Sequence, residues 1–121
     1  MEVCTVGGFS EVGKNMVALK HKEEVIILDM GLYLPPILNL EEGENREQMN
    51  SRELKQIGAI PNDDVIKDWK GKAKAIVLSH CHLDHIGAIQ DLAKRYNCPI
   101  YGTPYTIQVL RAMMKDNRKE L

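Results

Sequence analysis

Apolar residues along this chain recur at two different periods. Residues 3–6, 16–19 and 25–28 are short apolar runs separated by turn-rich or charged segments, which predicts three strands of an N-terminal β-meander. Ala75-Ile76-Val77-Leu78 is an uninterrupted apolar run between Lys74 and Ser79. That pattern predicts a strand buried on both faces. Behind it the period lengthens: Ile86, Ile89, Leu92, Ala93 and Tyr96 fall at helical spacing and stop near Asn97 and Pro99. They predict a helix of about three turns packed by one face. Residues 99–102 read as the next strand, and Thr103-Pro104 supplies an N-cap and first-turn pair for a second helix carrying Ile107, Leu110, Met113 and Met114. Strand followed by helix, twice over, is the rhythm of an α/β fold.

The connecting segments differ in kind. Gly7-Gly8-Phe9-Ser10-Glu11-Val12-Gly13 is rich enough in glycine to allow positive φ, which suits either a loop lying against a ligand or a plain hairpin. It has neither the GxGxxG nor the GxxxxGK[ST] spacing of a nucleotide loop. Residues 34–61 turn polar, with Glu41, Glu42, Glu44, Glu47 and Glu53, and are expected to form a surface insertion outside the core, with one short helix near 46–55. Asn62 stands as an N-cap before Asp63, Asp64, Val65, Ile66 and Trp69, with Gly71 placed to end a short helix. The alternation stops in the charged run 115–120 without a returning strand, so the chain reads as part of a larger domain.

Ser79-His80-Cys81-His82-Leu83-Asp84-His85-Ile86-Gly87 puts three of the four histidines and a carboxylate directly behind a predicted strand. In extended chain, side chains two apart point the same way, so His80 and His82 can bind one metal together. As the chain turns into a helix, Asp84 and His85 can aim at a second ion beside the first. Zinc accepts imidazole nitrogen and carboxylate oxygen and keeps positions open for water, and two adjacent ions are suited to hydrolysis. Cys81, between two such ligands, should point away from them. Asp29 ends an apolar run and precedes Gly31; there it either orients a metal ligand or caps a turn. His21 lies in the charged segment 20–24 and is assigned no role.

Composition narrows the picture. With 121 residues, 44% apolar and 27% charged, the chain has enough apolar residues for one modest core. Aromatic residues are 5%, which weakens the case for a base-stacking platform, and at net charge −1 the chain lacks the basic surplus expected of a self-sufficient nucleic-acid binder. Three cysteines without CxxC spacing, no signal-like start and no apolar stretch of membrane length place the expected setting in the cytoplasm, away from membranes.

HxHxDH behind an apolar strand, with an upstream strand ending in Asp29-Met30-Gly31, resembles two motifs of the metallo-β-lactamase superfamily. The loop from Gly7 to Gly13, continued by Lys14-Asn15, is similar to that of its β-CASP nucleases. Its Gly-Lys-Asn ending, with the stretches 76–88 and 99–106, resembles the ribonuclease J family in its archaeal branch. The resemblance implies the N-terminal half of an αββα sandwich, spanning 1–121. It implies two zinc ions, one on His80 and His82 and one on Asp84 and His85, with Asp84 also handling a proton and Asp29 as a buried supporting carboxylate. RNA is the implied substrate and phosphodiester hydrolysis the implied reaction. No histidine follows His85 to complete a ligand set, so the chain alone is expected to have little or no nuclease activity. Half a sandwich leaves a sheet face bare, from which a homo-oligomer is expected. The alternatives are another hydrolase of the superfamily, a thioesterase or lactonase, and an inactive piece that only folds or self-associates.

Overall fold

The structure is a computed structural model and describes residues 1–41 and 44–116. Glu42 and the end of the charged run 115–120 lie outside the described residues.

Five strands form one sheet in sequential order: β1 (Glu2–Gly7), β2 (Met16–His21), β3 (Glu24–Leu28), β4 (Ala73–Val77) and β5 (Ile100–Tyr101). The first three are antiparallel, as the meander pattern predicts, and β4 and β5 run parallel to β3. Only two residues separate β2 from β3, and Lys22 takes φ 56° to close that turn. Parallel neighbours need a crossover, and both crossovers carry helix. Between β3 and β4 lie α1 (Pro35–Leu38), α2 (Ser51–Gln56) and a 3-10 segment, Asp63–Lys72. Between β4 and β5 lie α3 (Leu83–Ile86), α4 (Ile89–Leu92) and a 3-10 turn, Ala93–Tyr96; α5 (Pro104–Asp116) follows β5.

The core sits on one face of the sheet. Met16, Ala18, Val25, Ile27 and Ile76 point into it and meet Leu54, Ile86, Ile89, Leu92 and Leu110 from the helices. Each fully buried side chain of this kind contributes about 1.5–3 kcal/mol. The cross-strand pairs Val17–Leu28, Leu19–Ile26 and Leu28–Val77 put the alternate residues on the other face, where Ile26 is exposed and Val17, Leu19, Leu28 and Val77 are half-buried. β4 is therefore covered on one face, not on both as its apolar run predicts.

Two further expectations are corrected. The stretch 34–61 is not an insertion outside the core: Leu54, Ala59, Ile60 and Pro61 are buried. A capping box between Asn50 and Glu53 starts α2 and turns Leu54 inward, while its polar residues face out. Arg46 fastens the same stretch inward, donating through Nη2 to the carbonyl of Gly87 and to Asp91 Oδ2 at 2.9 Å. The three-turn helix after the histidines is broken into α3, α4 and a 3-10 turn. The break falls at Gly87-Ala88, where Ala88 N–H leaves the helix to bond Met30 O at 2.9 Å, and a side chain on Gly87 would strike Leu32 Cβ at 2.4 Å. The apolar face nevertheless stands, since Ile86, Ile89, Leu92, Ala93 and Tyr96 are all buried. Asn97 ends it in the left-handed region at φ 47°.

Candidate metal centre

The histidine cluster hangs from the C-terminal end of β4. Leu78 N–H still bonds Tyr101 O at 2.8 Å, continuing the ladder to β5, and the chain then leaves the sheet. His82 remains extended, at φ −81° and ψ 155°, and becomes the N-cap of α3; its carbonyl accepts from His85 and Ile86 N–H at 2.9 and 3.1 Å. His80 and His82 meet as two side chains of extended chain should: His80 Nε2 lies 2.9 Å from His82 Nδ1 and the rings pack edge to face. The His80 ring also sits 4.9 Å, centroid to centroid, from that of His85.

Asp29 occupies the left-handed region at φ 64°, which aspartate tolerates better than most residues, and is 7% exposed. Were it a turn cap, its oxygens would bond near neighbours. They accept instead from Ser79 N–H at 2.8 Å and Ser79 Oγ–H at 2.6 Å, and Oδ2 lies 2.9 Å from His85 Nδ1. The buried carboxylate is thus fully engaged. With Nδ1–H donating to Asp29, the lone pair of His85 is left on Nε2, and Nε2 is 3.4 Å from Asp84 Oδ2. A carboxylate behind one ring nitrogen, fixing the other outward, is the usual support of a metal-binding histidine. Three imidazoles and the carboxylate of Asp84 therefore form a donor set suited to zinc. Among the described residues, no group of three or more His, Cys, Asp or Glu side chains is closed around one metal position.

The sequence reading gave no role to three residues that build this site. Ser79 bonds both oxygens of Asp29. A Cβ on Gly31 would stand 1.7 Å from Asp84 O, so only glycine lets the chain after β3 lie against α3. Asn15 also touches Asp84, through its side-chain amide. Ser79 and Gly31 stand within the quoted motifs, but nothing local marks what they touch; Asn15 ends the glycine-rich loop, 69 residues from its partner.

Two clefts flank the cluster. One is mostly apolar, lined by Val12, Leu32, Leu83, Val109 and Met113, with His82, Asp84 and Cys81 at its wall. The other opens on the uncovered sheet face, between Phe9, Leu28, Val77 and the Asp29–Ser79–His85 group. His21 is exposed at the far end of β2. Cys4, Cys81 and Cys98 are unpaired and half-buried, and burial pushes the Cys98 thiol up. Among the described residues no helix is long and apolar enough to cross a membrane.

Comparison with known proteins covers nearly all of the chain. Ribonuclease J of Methanocaldococcus jannaschii is 49% identical over 119 residues, covering 98% of this chain and 26% of that protein. Ribonuclease J of Pyrococcus abyssi is 47% identical over 116 residues, covering 95% and 25%. The chain thus spans about a quarter of the length of these relatives. Human tRNase Z, short form, shares the fold at TM-score 0.54 and 17% identity, over 100% of this chain and 42% of that one. The family model described as the metallo-beta-lactamase superfamily matches residues 10–112, a span that runs from the glycine-rich loop through Asp29 and the histidine cluster into α5. On that match, the chain belongs to the metallo-β-lactamase superfamily.

Proposed function

We propose that the chain is the N-terminal part, 1–121, of the metallo-β-lactamase domain of a cytoplasmic zinc-dependent ribonuclease that hydrolyses RNA phosphodiester bonds. The observation that carries it is the Asp29–His85–Asp84 arrangement beside the His80–His82 pair. The two relatives named ribonuclease J support RNA as the substrate, and three unpaired cysteines suit a reducing compartment. In this reading His80 and His82 hold one zinc and Asp84 and His85 a second, with the remaining ligands supplied from outside the chain. Bound there, zinc supplies a Lewis acid for the phosphoryl oxygens and makes water a nucleophile near neutral pH. The chain's own residues do the rest: Ser79 holds Asp29, Asp29 holds the His85 ring by Nδ1 so that Nε2 faces Asp84, and Asp84 takes or returns a proton at its carboxylate. A thioesterase or lactonase would use the same donors, so the test is substrate choice. The complete protein is expected to cleave labelled RNA and not a thioester, to stop in chelator and to resume with added zinc. Thioester cleavage without RNA cleavage would defeat the reading.

The bare sheet face favours a second, compatible statement about the isolated chain. Val3 and Ile26, 61% and 40% exposed, adjoin Val17, Leu19, Leu28 and Val77 on that face, which in the proposed domain receives the other half of the sandwich. Alone, the chain is expected to cover it with a second copy. Light scattering should then report a dimer or larger; a clean monomer would rule self-association out.

A further inference from the structure

Four consecutive carbonyls, from His82 to His85, run through the turn that carries the proposed ligands, and each has a donor. His82 O takes the N–H groups of His85 and Ile86; Leu83 O takes those of Leu32 and Gly87, both at 2.8 Å; His85 O takes that of Met30 at 2.9 Å. All of these donors are main chain. Asp84 O is held differently, by Asn15 N–H at 3.1 Å and by the side-chain Nδ2–H of Asn15 at 2.8 Å.

Asn15 is itself fixed on every side. Its carbonyl accepts from Gly31 N–H at 2.9 Å, and the preceding Lys14 N–H bonds Leu32 O at 3.0 Å. The other end of its amide is covered by Gly8, at φ 91°, where a Cβ would stand 2.4 Å from Asn15 Oδ1. The glycine-rich loop therefore lies against Asn15, and its glycines serve close backbone approach as well as a turn.

We propose that Asn15 is a positioning residue for Asp84, setting the direction of its carboxylate toward His85 Nε2 by gripping the Asp84 carbonyl with a rigid, pre-oriented amide. This rests on the reading of Asp84 as a metal ligand. The main-chain N–H of Asn15 survives substitution by alanine or aspartate, so either variant removes one bond from the grip and leaves the sheet and core untouched. Losing a partner behind a ligand typically weakens metal binding about 10- to 100-fold; with one of two bonds kept, the low end applies.

The test measures zinc affinity by chelator competition, together with the unfolding temperature, for the complete protein and for Asn15→Ala, Asn15→Asp and the double variant His80→Ala/His82→Ala. The native protein should bind zinc and the double histidine variant should lose most of it. Asn15→Ala should bind about tenfold more weakly, with an unfolding temperature close to native. Asn15→Asp, the same size but without the N–H donor, should do no better, and carries the comparison if the alanine variant does not fold. In RNA cleavage kcat should fall while KM holds, and excess zinc should restore part of the loss. Native zinc affinity in either Asn15 variant overturns the proposal. If the native protein binds no zinc, the metal reading itself fails, and the proposal with it.

Discussion

Replacing Gly31 by alanine is expected to take apart the turn that carries the proposed metal ligands and to remove about 3 kcal/mol or more of stability, the upper range for forcing a methyl group into packed interior. The added Cβ would stand 1.7 Å from Asp84 O, 2.4 Å from Asp84 C and 2.6 Å from Asn15 N. All three are main-chain atoms, so no side-chain rotation relieves the contact. Either α3 must move off the chain that follows β3 or that chain must move off α3. Both movements break Met30 N–H to His85 O and Leu32 N–H to Leu83 O, which join the two segments. Zinc affinity should fall by at least about a hundredfold, since more than one support of the ligands is lost together. Gly71→Ala is the control: nothing lies within 4 Å of its Cβ, and its unfolding free energy should change by no more than about 0.5 kcal/mol. Thermal unfolding and zinc titration of the two variants decide the matter, and native behaviour in Gly31→Ala would show that the close approach does not matter.

The contrast between Gly31 and the histidines marks what the sequence could disclose. Spacing made the HxHxDH cluster visible, because His80, His82, Asp84 and His85 are neighbours whose geometry follows from local chain conformation. Asp29 was visible through its chemistry, since a carboxylate ending an apolar run needs a partner. The three meander strands followed from short apolar runs set apart by turn-rich or charged segments, and the buried face of residues 86–96 from helical spacing. What stayed hidden depends on contacts between segments distant in sequence. Leu54 stands in a polar stretch; Asn50 and Glu53 mark a helix start locally, but nothing local says that this helix turns Leu54 into the core. The helix break at Gly87 follows from Leu32, 55 positions earlier, lying against it. The four apolar residues of β4 carry no mark that, among the described residues, one of its faces stays open.

Asp63 shows the same limit and leads to the second large effect. Read locally, it is one of two acidic residues opening a short helix after Asn62, and Asn62 does cap that segment by accepting from Asp64 N–H at 3.2 Å. In the fold Asp63 is fully buried, with Lys55 Nζ at 2.6 Å, Lys70 Nζ at 3.1 Å and Tyr96 O–H donating at 2.7 Å. One carboxylate thus ties α2, the 3-10 segment after it and the end of the helical stretch behind the histidines. Burial pushes its carboxyl up, but hydrogen bonds from Lys55 and Tyr96 and the charges of Lys55 and Lys70 outweigh that, and the net shift is downward. Burial, and then the Asp63 charge, push the Tyr96 phenol up, so it stays protonated and donates. Asp63→Asn should cost about 3–5 kcal/mol at pH 7, because it leaves two lysines against a neutral amide. That lowers the unfolding temperature by roughly 10 °C or more for a domain of this size. A carboxyl group whose pKa is lower in the folded state stabilises fully above its unfolded value, near 3.9, and loses that contribution as pH falls through the folded value. The gap between native protein and Asp63→Asn should therefore narrow as pH drops below about 4. Unfolding measured from pH 7 down to pH 3 tests both parts: a variant as stable as the native protein at pH 7, or a gap that does not change with pH, would mean that the buried ion pairs do not hold the crossover to the core.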